Sequence, residues 1–197
     1  MKLYLVRHGQ TIENAQGIIM GQHGGTLSEK GMKQAEETAK KLKSENFDQA
    51  WSSDLKRCVD TAKIILAQHP HLKLQTTEAL REVNYGEFQG KPSADIQPFF
   101  QQAPVFAAWK VPGGESHLDM FKRTIKFINK LFKNYPDQSI LLVTHTGPIE
   151  AIRASLEKAS HDSLFPKDAA HASVWQIDVN KRLEVYPKIR KWPFQIN

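Results

Sequence analysis

The stretches Leu3-Tyr4-Leu5-Val6 and Ile140-Leu141-Leu142-Val143 are apolar at every position. A short, unbroken apolar run suits a strand covered on both faces, and therefore a parallel sheet with helices on either side. Each run is followed two residues later by a histidine, His8 and His145. Helical patterns lie between them. Ser28 is a candidate N-cap for a helix burying Met32, Ala35, Ala39 and Leu42. A second helix is expected from Ser53 or Asp54, with Leu55, Val59, Ala62 and Leu66 on its apolar stripe and Arg57 near its first turn. A third starts at Ser116, where Asp119 completes a capping-box pair. It runs through Leu118, Phe121, Ile125, Ile128 and Phe132 until Pro136 stops it.

Phe47 to Trp51 and Leu72 to Thr76 read as further strands. Val174 to Val179 and Leu183 to Tyr186, separated by Asn180-Lys181-Arg182, read as a hairpin and hence an antiparallel edge. Between Pro92 and Pro112 two more prolines interrupt the chain, and its aromatics follow no period, so short helical pieces over the site are expected. No repeat or flexible linker divides the sequence. The expected fold is one three-layer α/β/α domain over residues 1–197, with a mainly parallel sheet, helices on both faces and an antiparallel edge strand.

With 197 residues, 40% of them hydrophobic, the chain can bury a core without metal or disulfide staples. The lone Cys58 excludes an intrachain disulfide and a cysteine-rich metal domain. No apolar run approaches the roughly 20 residues that cross a bilayer, and the opening apolar run meets Arg7-His8 too soon for a secretory core, so a cytoplasmic protein away from membranes is expected. A formal charge of +6 favours anionic partners. The basic segment Lys188 to Trp192 reads as a solvated end, and no stacking platform for nucleic acid is legible.

In open α/β sheets ligands bind beyond the carboxyl ends of the strands, where His8 and His145 would lie. Arg7-His8-Gly9-Gln10-Thr11 puts a guanidinium, an imidazole and a flexible glycine at such an end. Arg57, at a helix start, can add a second guanidinium to the same anion. Two arginines, a helix end and two imidazoles fit a phosphoryl group. The plainer alternatives are a basic turn and a surface charge. The remaining histidines, His23, His69, His71, His117, His161 and His171, read as structural or solvent-exposed.

No Walker-type lysine loop, His-Glu-x-x-His pair, magnesium-spaced Asp cluster or Cys-x5-Arg loop is present. The remaining nucleophile is a neutral imidazole that carries the group as phosphohistidine, with the arginines and the second histidine stabilising the equatorial oxygens. The departing alkoxide needs a proton, and a carboxyl beside a phosphate dianion favours its protonated form. Glu82 and Glu87, in Leu80 to Gly90, are the competing donors; the same segment also reads as a polar loop with two turn glycines.

Leu5-Val6-Arg7-His8-Gly9-Gln10-Thr11 with Asn14 resembles the signature of the histidine phosphatase superfamily, in its phosphoglycerate mutase-like branch. The resemblance continues through Leu27 to Gly31, Ser52 to Arg57 with Thr61-Ala62, Leu80 to Gly90, Gly113 to Ser116 and Val143-Thr144-His145. It implies that His8 is the phosphorylated nucleophile, that Arg7, Arg57, His145 and Asn14 hold the phosphoryl group, and that Glu82 rather than Glu87 donates the proton. It also implies an α/β domain without a metal or other cofactor. Many relatives place glycine after the second histidine, whereas this chain has Thr146, whose amide or hydroxyl is then the expected phosphate donor. Gln22, in the departing stretch Gln22 to Gly25, and Tyr85 are the expected substrate-side contacts.

Phosphatase and mutase share the phosphohistidine and differ in the second acceptor. A mutase must exclude water and hold a carboxylated phosphate with extra cations. Family mutases carry a longer insertion with paired arginines; here Lys91 to Val111 offers only Lys91 and Lys110. The expected activity is therefore a phosphomonoesterase on a small phosphorylated metabolite. Cofactor-dependent phosphoglycerate mutase is the alternative, and a non-catalytic phospho-ligand module the second. The expected assembly is a monomer or a homodimer through an exposed strand edge.

Overall fold

The computed structural model describes residues 1–96, 98, 108–158 and 170–185. Five strands, β1 (Lys2–Arg7), β2 (Gln49–Ser53), β3 (Leu74–Thr77), β4 (Ser139–Thr144) and β5 (Val174–Asp178), form one sheet in the order β3-β2-β4-β1-β5. All neighbouring pairs are parallel except β1 with β5, so the sheet is parallel with one antiparallel edge.

The apolar runs behave as strands clothed on both sides because side chains alternate across a strand. Leu3, Leu5, Ile140 and Leu142 face one layer, containing Ile125, Ile128 and Leu131 of helix α4 (His117–Asn134) and Ile149 and Ile152 of helix α5 (Thr146–Glu157). Tyr4, Val6, Leu141 and Val143 face the other. There they meet Ala39 and Leu42 of α2 (Glu29–Leu42) and Cys58, Ala62 and Ile65 of α3 (Lys56–Leu66). A short helix, α1 (Ile12–Ala15), follows β1. Among the described residues no helix is long and apolar enough to cross a membrane.

Ser28 caps α2, accepting from the Gly31 amide at 3.0 Å, and Ser116 with Asp119 forms the capping box of α4. The apolar stripe of α2 is turned slightly from the expected one: Gly31 and Thr38 are buried while Met32 is 42% exposed. α3 starts later than expected, after Leu55, because Ser52 and Ser53 are drawn into β2 beside β4. Leu183 to Val185 do not form the second arm of a hairpin. Asn129 on α4 clamps Leu183, donating to its carbonyl at 2.9 Å and accepting from its amide at 2.8 Å. The buried Leu183 side chain thereby joins the core beneath α4, and β5 pairs with β1 instead. Tyr186, the Lys188 to Trp192 segment and His161 lie outside the described residues. In the Pro92 to Pro112 stretch, Ser93–Asp95 is a single 3₁₀ turn; most of the remainder also lies outside them.

Candidate active site

The register of β1 on β4 explains why the two histidines meet. Arg7 pairs with Thr144 as the last rung, and the His8 amide donates to the Thr144 carbonyl at 3.0 Å. The next residues, His8 and His145, therefore leave adjacent parallel strands at one level, with ring centroids 5.2 Å apart and nearly perpendicular.

His8 is buried, and its Nδ1 lies 2.8 Å from the Gly9 carbonyl. A carbonyl only accepts, so the proton sits on Nδ1 and the lone pair on Nε2. Arg57 Nε donates to that lone pair at 3.3 Å. Burial, then the Arg57 charge, hold the His8 pKa well below the usual histidine range. The ring is thus neutral, with its nucleophilic nitrogen turned toward the arginine. Gly9 is required here because a Cβ would strike the Gly31 carbonyl of α2.

Arg57, in the first turn of α3, is 1% exposed. Its remaining donors hold the 21–24 loop through the carbonyls of Gly21 at 2.7 Å, Gly24 at 3.2 Å and His23. One side chain therefore carries charge to the site and shapes its rim. Asn14 closes a capping box on Thr11 at the start of α1, with the Asn14 amide donating to Thr11 Oγ1 at 3.0 Å.

Glu82 enters from the opposite side. Its carboxylate accepts from its neighbour's amide, Val83, at 3.0 Å and from the Gly147 amide at 3.3 Å. A Cβ at position 147 would run into that carboxylate, so the glycine one place beyond Thr146 seats the acid. Glu87 is exposed and lies away from the cavity.

Arg7, His8, Asn14, Arg57 and Glu82 line one cavity of about 280 Å³, together with Tyr85 and an apolar wall containing Ile18, Ile19, Met20 and Ile96. Other expected residues are placed differently. His145 is fully buried behind His8, its Nε2 2.9 Å from Ser53 Oγ and 3.3 Å from Cys58 Sγ. Burial and the Arg57 charge keep its pKa well below the usual range too. Thr146 begins α5 without lining the cavity. Gln22 turns from the cavity to the acid segment, donating to the Glu82 carbonyl at 3.2 Å and Glu115 Oε1 at 3.1 Å.

Two residues of the site were not singled out from the sequence. Arg123 on α4 grips the acid segment by donating to the carbonyls of Ala79 at 3.0 Å, Arg81 at 2.7 Å and Glu82 at 2.8 Å, and to Glu115 at 2.7 Å. Its only sequence cue is its place two turns beyond Glu115. His171, expected to be structural or solvent-exposed, instead lies with Nε2 3.1 Å from Arg7 Nη2 and 3.2 Å from Asn14 Oδ1, its ring 5.7 Å from that of His8. Burial and then Arg7 push its pKa down to about 4, leaving it neutral and able to accept from the guanidinium. The antiparallel approach of β5 delivers it: Ala172 turns in the left-handed region at φ 59°, and its amide donates to the His8 carbonyl at 3.2 Å. No spacing along the chain encodes that meeting. Of the other histidines, His69 packs edge-on against Phe47 at 5.0 Å, His117 lies beside Tyr85, and His23 is exposed.

Among the described residues no group of three or more His, Cys, Asp or Glu is arranged to hold a metal ion. A neutral, oriented imidazole, two guanidiniums and a facing carboxyl in one cavity match the transfer of a phosphoryl group through histidine.

The comparisons agree. The chain is 34% identical to a metal-independent phosphoserine phosphatase of Arabidopsis thaliana, over 81% of this chain and 70% of that one. It is 29% identical to a 2,3-bisphosphoglycerate-dependent phosphoglycerate mutase of Cytophaga hutchinsonii, over 99% and 97%. Among solved structures, a mycobacterial glucosyl-3-phosphoglycerate phosphatase with VO3 superposes with a TM-score of 0.79 at 31% identity, covering 94% of this chain and 98% of the other. The family model matches residues 3–189, and with the site built on the strand ends its motif predicts, this chain belongs to the histidine phosphatase superfamily, branch 1.

Proposed function

We propose that this protein is a metal-independent phosphomonoesterase that works through a phosphohistidine on His8. The observation that carries the reading is that His8, Arg7, Arg57 and Glu82 line one and the same cavity. The His8 Nε2 lone pair attacks phosphorus, and the bond from phosphorus to the ester oxygen breaks. The carboxyl of Glu82 protonates the departing alkoxide. Water then attacks the phosphohistidine, Glu82 takes up its proton, and inorganic phosphate leaves with His8 restored. Arg7 and Arg57 carry the charge that spreads over the equatorial oxygens, and the Arg57 Nε donor passes from His8 to a phosphoryl oxygen as the nitrogen is consumed. Asn14 holds the phosphoryl group beside them. His145, a ring's breadth behind His8, supports the charged transition state. The burial that keeps both imidazoles neutral preserves the nucleophile at neutral pH.

The mutase reading is the weaker one. A carboxylated acceptor needs cations on the leaving-group side, and both lysines of the connecting segment are engaged elsewhere. Lys110 pairs with Asp119 at 2.9 Å, and Lys91 lies over the Phe88 ring, 5.5 Å from its centroid.

Phosphate release from an aryl phosphate, in chelator and without a bisphosphoglycerate primer, tests this. Turnover is expected with the native chain, together with an acid-labile phosphoryl label that His8→Ala abolishes. A strict need for primer would establish the mutase instead, and a label that survives in His8→Ala would move the nucleophile.

A further inference from the structure

We infer that the leaving-group subsite accepts a neutral, apolar alcohol, so that the preferred substrates are aryl or medium-length alkyl phosphate monoesters. The inference rests on the phosphatase reading and specifies its substrate class. Its evidence is the make-up of the cavity. Arg7, Arg57 and His8, with Arg57 donating to His8, are the residues that meet the phosphoryl group, while Ile18, Ile19, Met20 and Ile96 give the same cavity apolar lining.

That lining is built into the fold. After α1 the chain runs as a ribbon beside residues 90–93: Ile19 donates to Lys91 at 2.9 Å and accepts from Gly90 at 2.8 Å, and Ser93 donates to Gly17 at 2.8 Å. Ile18 bridges Pro92 in the same ribbon. These three hydrogen bonds hold the wall in place, so its apolar side chains are presented to the cavity at little ordering cost when substrate arrives. Ile18, Ile19 and Met20 stay only half-buried, which leaves apolar surface for a ligand to cover.

Recognition of a carboxylate, an ammonium or a second phosphate requires an opposite charge facing it. Among the described residues lining the cavity, the charged groups are Arg7, Arg57 and Glu82, all committed to the phosphoryl group and its proton. Of the nearby polar side chains, Gln22 braces Glu82 and Glu115, the Tyr85 hydroxyl is 3.4 Å from His117 Nε2, Asn14 is assigned to the phosphoryl group, and the exposed Ser93 adds one uncharged hydroxyl. A polar alcohol would lose water there and gain little in return, whereas methylene groups gain by leaving water.

The test is kcat/KM for the alkyl phosphates from ethyl to hexyl, alongside phosphoserine and 3-phosphoglycerate. A methylene removed half to fully from water contributes about two- to fourfold. Each added carbon is expected to raise kcat/KM by that factor, with hexyl phosphate above both charged esters. In Ile18→Ser the slope of the series should flatten while inhibition by inorganic phosphate is unchanged, since the phosphoryl end is intact. Ile18→Lys should move the preference toward 3-phosphoglycerate. A flat or falling alkyl series, or a charged ester above hexyl phosphate, overturns the subsite and leaves the phosphatase standing. A slope that survives in Ile18→Ser overturns the assignment of the wall. If no ester is hydrolysed, the phosphatase reading itself fails.

Discussion

Glu150 is a buried acid with no part in the chemistry above, and it makes the folded state sensitive to pH. It lies on α5, one turn beyond Thr146, is 4% exposed, and its Oε1 has no hydrogen-bond partner among the described residues. Burial, and next the charge of Glu82, push its pKa from the ordinary 4.5 up to about 8, against the opposing pull of Arg7 and Arg153. The folded chain therefore keeps this proton up to about pH 8, while the unfolded chain releases it above 4.5. Between those limits the unfolded state binds fewer protons, so stability falls as pH rises. At about 1.36 kcal/mol per pH unit the interval amounts to roughly 5 kcal/mol. Relaxation and water penetration around the carboxylate reduce this, and about 2–4 kcal/mol is expected. Glu150→Gln has the shape of the protonated acid and cannot ionise. In urea unfolding the two proteins should agree within about 1 kcal/mol at pH 5, and the glutamine variant should be the more stable by about 2–4 kcal/mol at pH 8.5. Titrating groups that do not interact with Glu150 cancel in the difference. A gap that is the same at both pH values would refute the reasoning, because it would mean that Glu150 ionises in the fold as readily as outside it.

Glu82→Gln is expected to lower kcat/KM about 10²–10³-fold for alkyl phosphates and less than tenfold for p-nitrophenyl phosphate, whose leaving group needs no proton. Equal losses on both would remove Glu82 from the proton-donor role. His171→Ala removes the neutral acceptor that pins Arg7 without cancelling its charge, and should weaken inhibition by inorganic phosphate about tenfold. His171→Asn, which keeps an acceptor, should recover most of that affinity; unchanged inhibition in both variants would show that Arg7 is held by other contacts.

Local chemistry decided much of this protein, and it was legible for that reason. Side-chain alternation in two apolar runs dictates a sheet covered on both faces. The Ser28 and Ser116 caps follow from short side-chain bonds to the backbone, and the Arg7-His8-Gly9 turn with Asn14 lies within one short stretch of chain. Tertiary structure decided what depends on elements distant in sequence. The β1–β4 register sets the imidazoles side by side, and the antiparallel docking of β5 carries His171 onto Arg7 across more than 160 residues. Glu82 became separable from Glu87 on the residues themselves only when Gly147 and Arg123 took hold of one end of their segment. The apolar wall is of the same kind, since Ile18 and Ile19 are unremarkable in a loop and acquire a role only where residues 90–93 pair with them. Periodicity and capping report interactions over a few residues. Burial, proton affinity and the facing of one charge upon another are set by which surfaces the whole chain brings together.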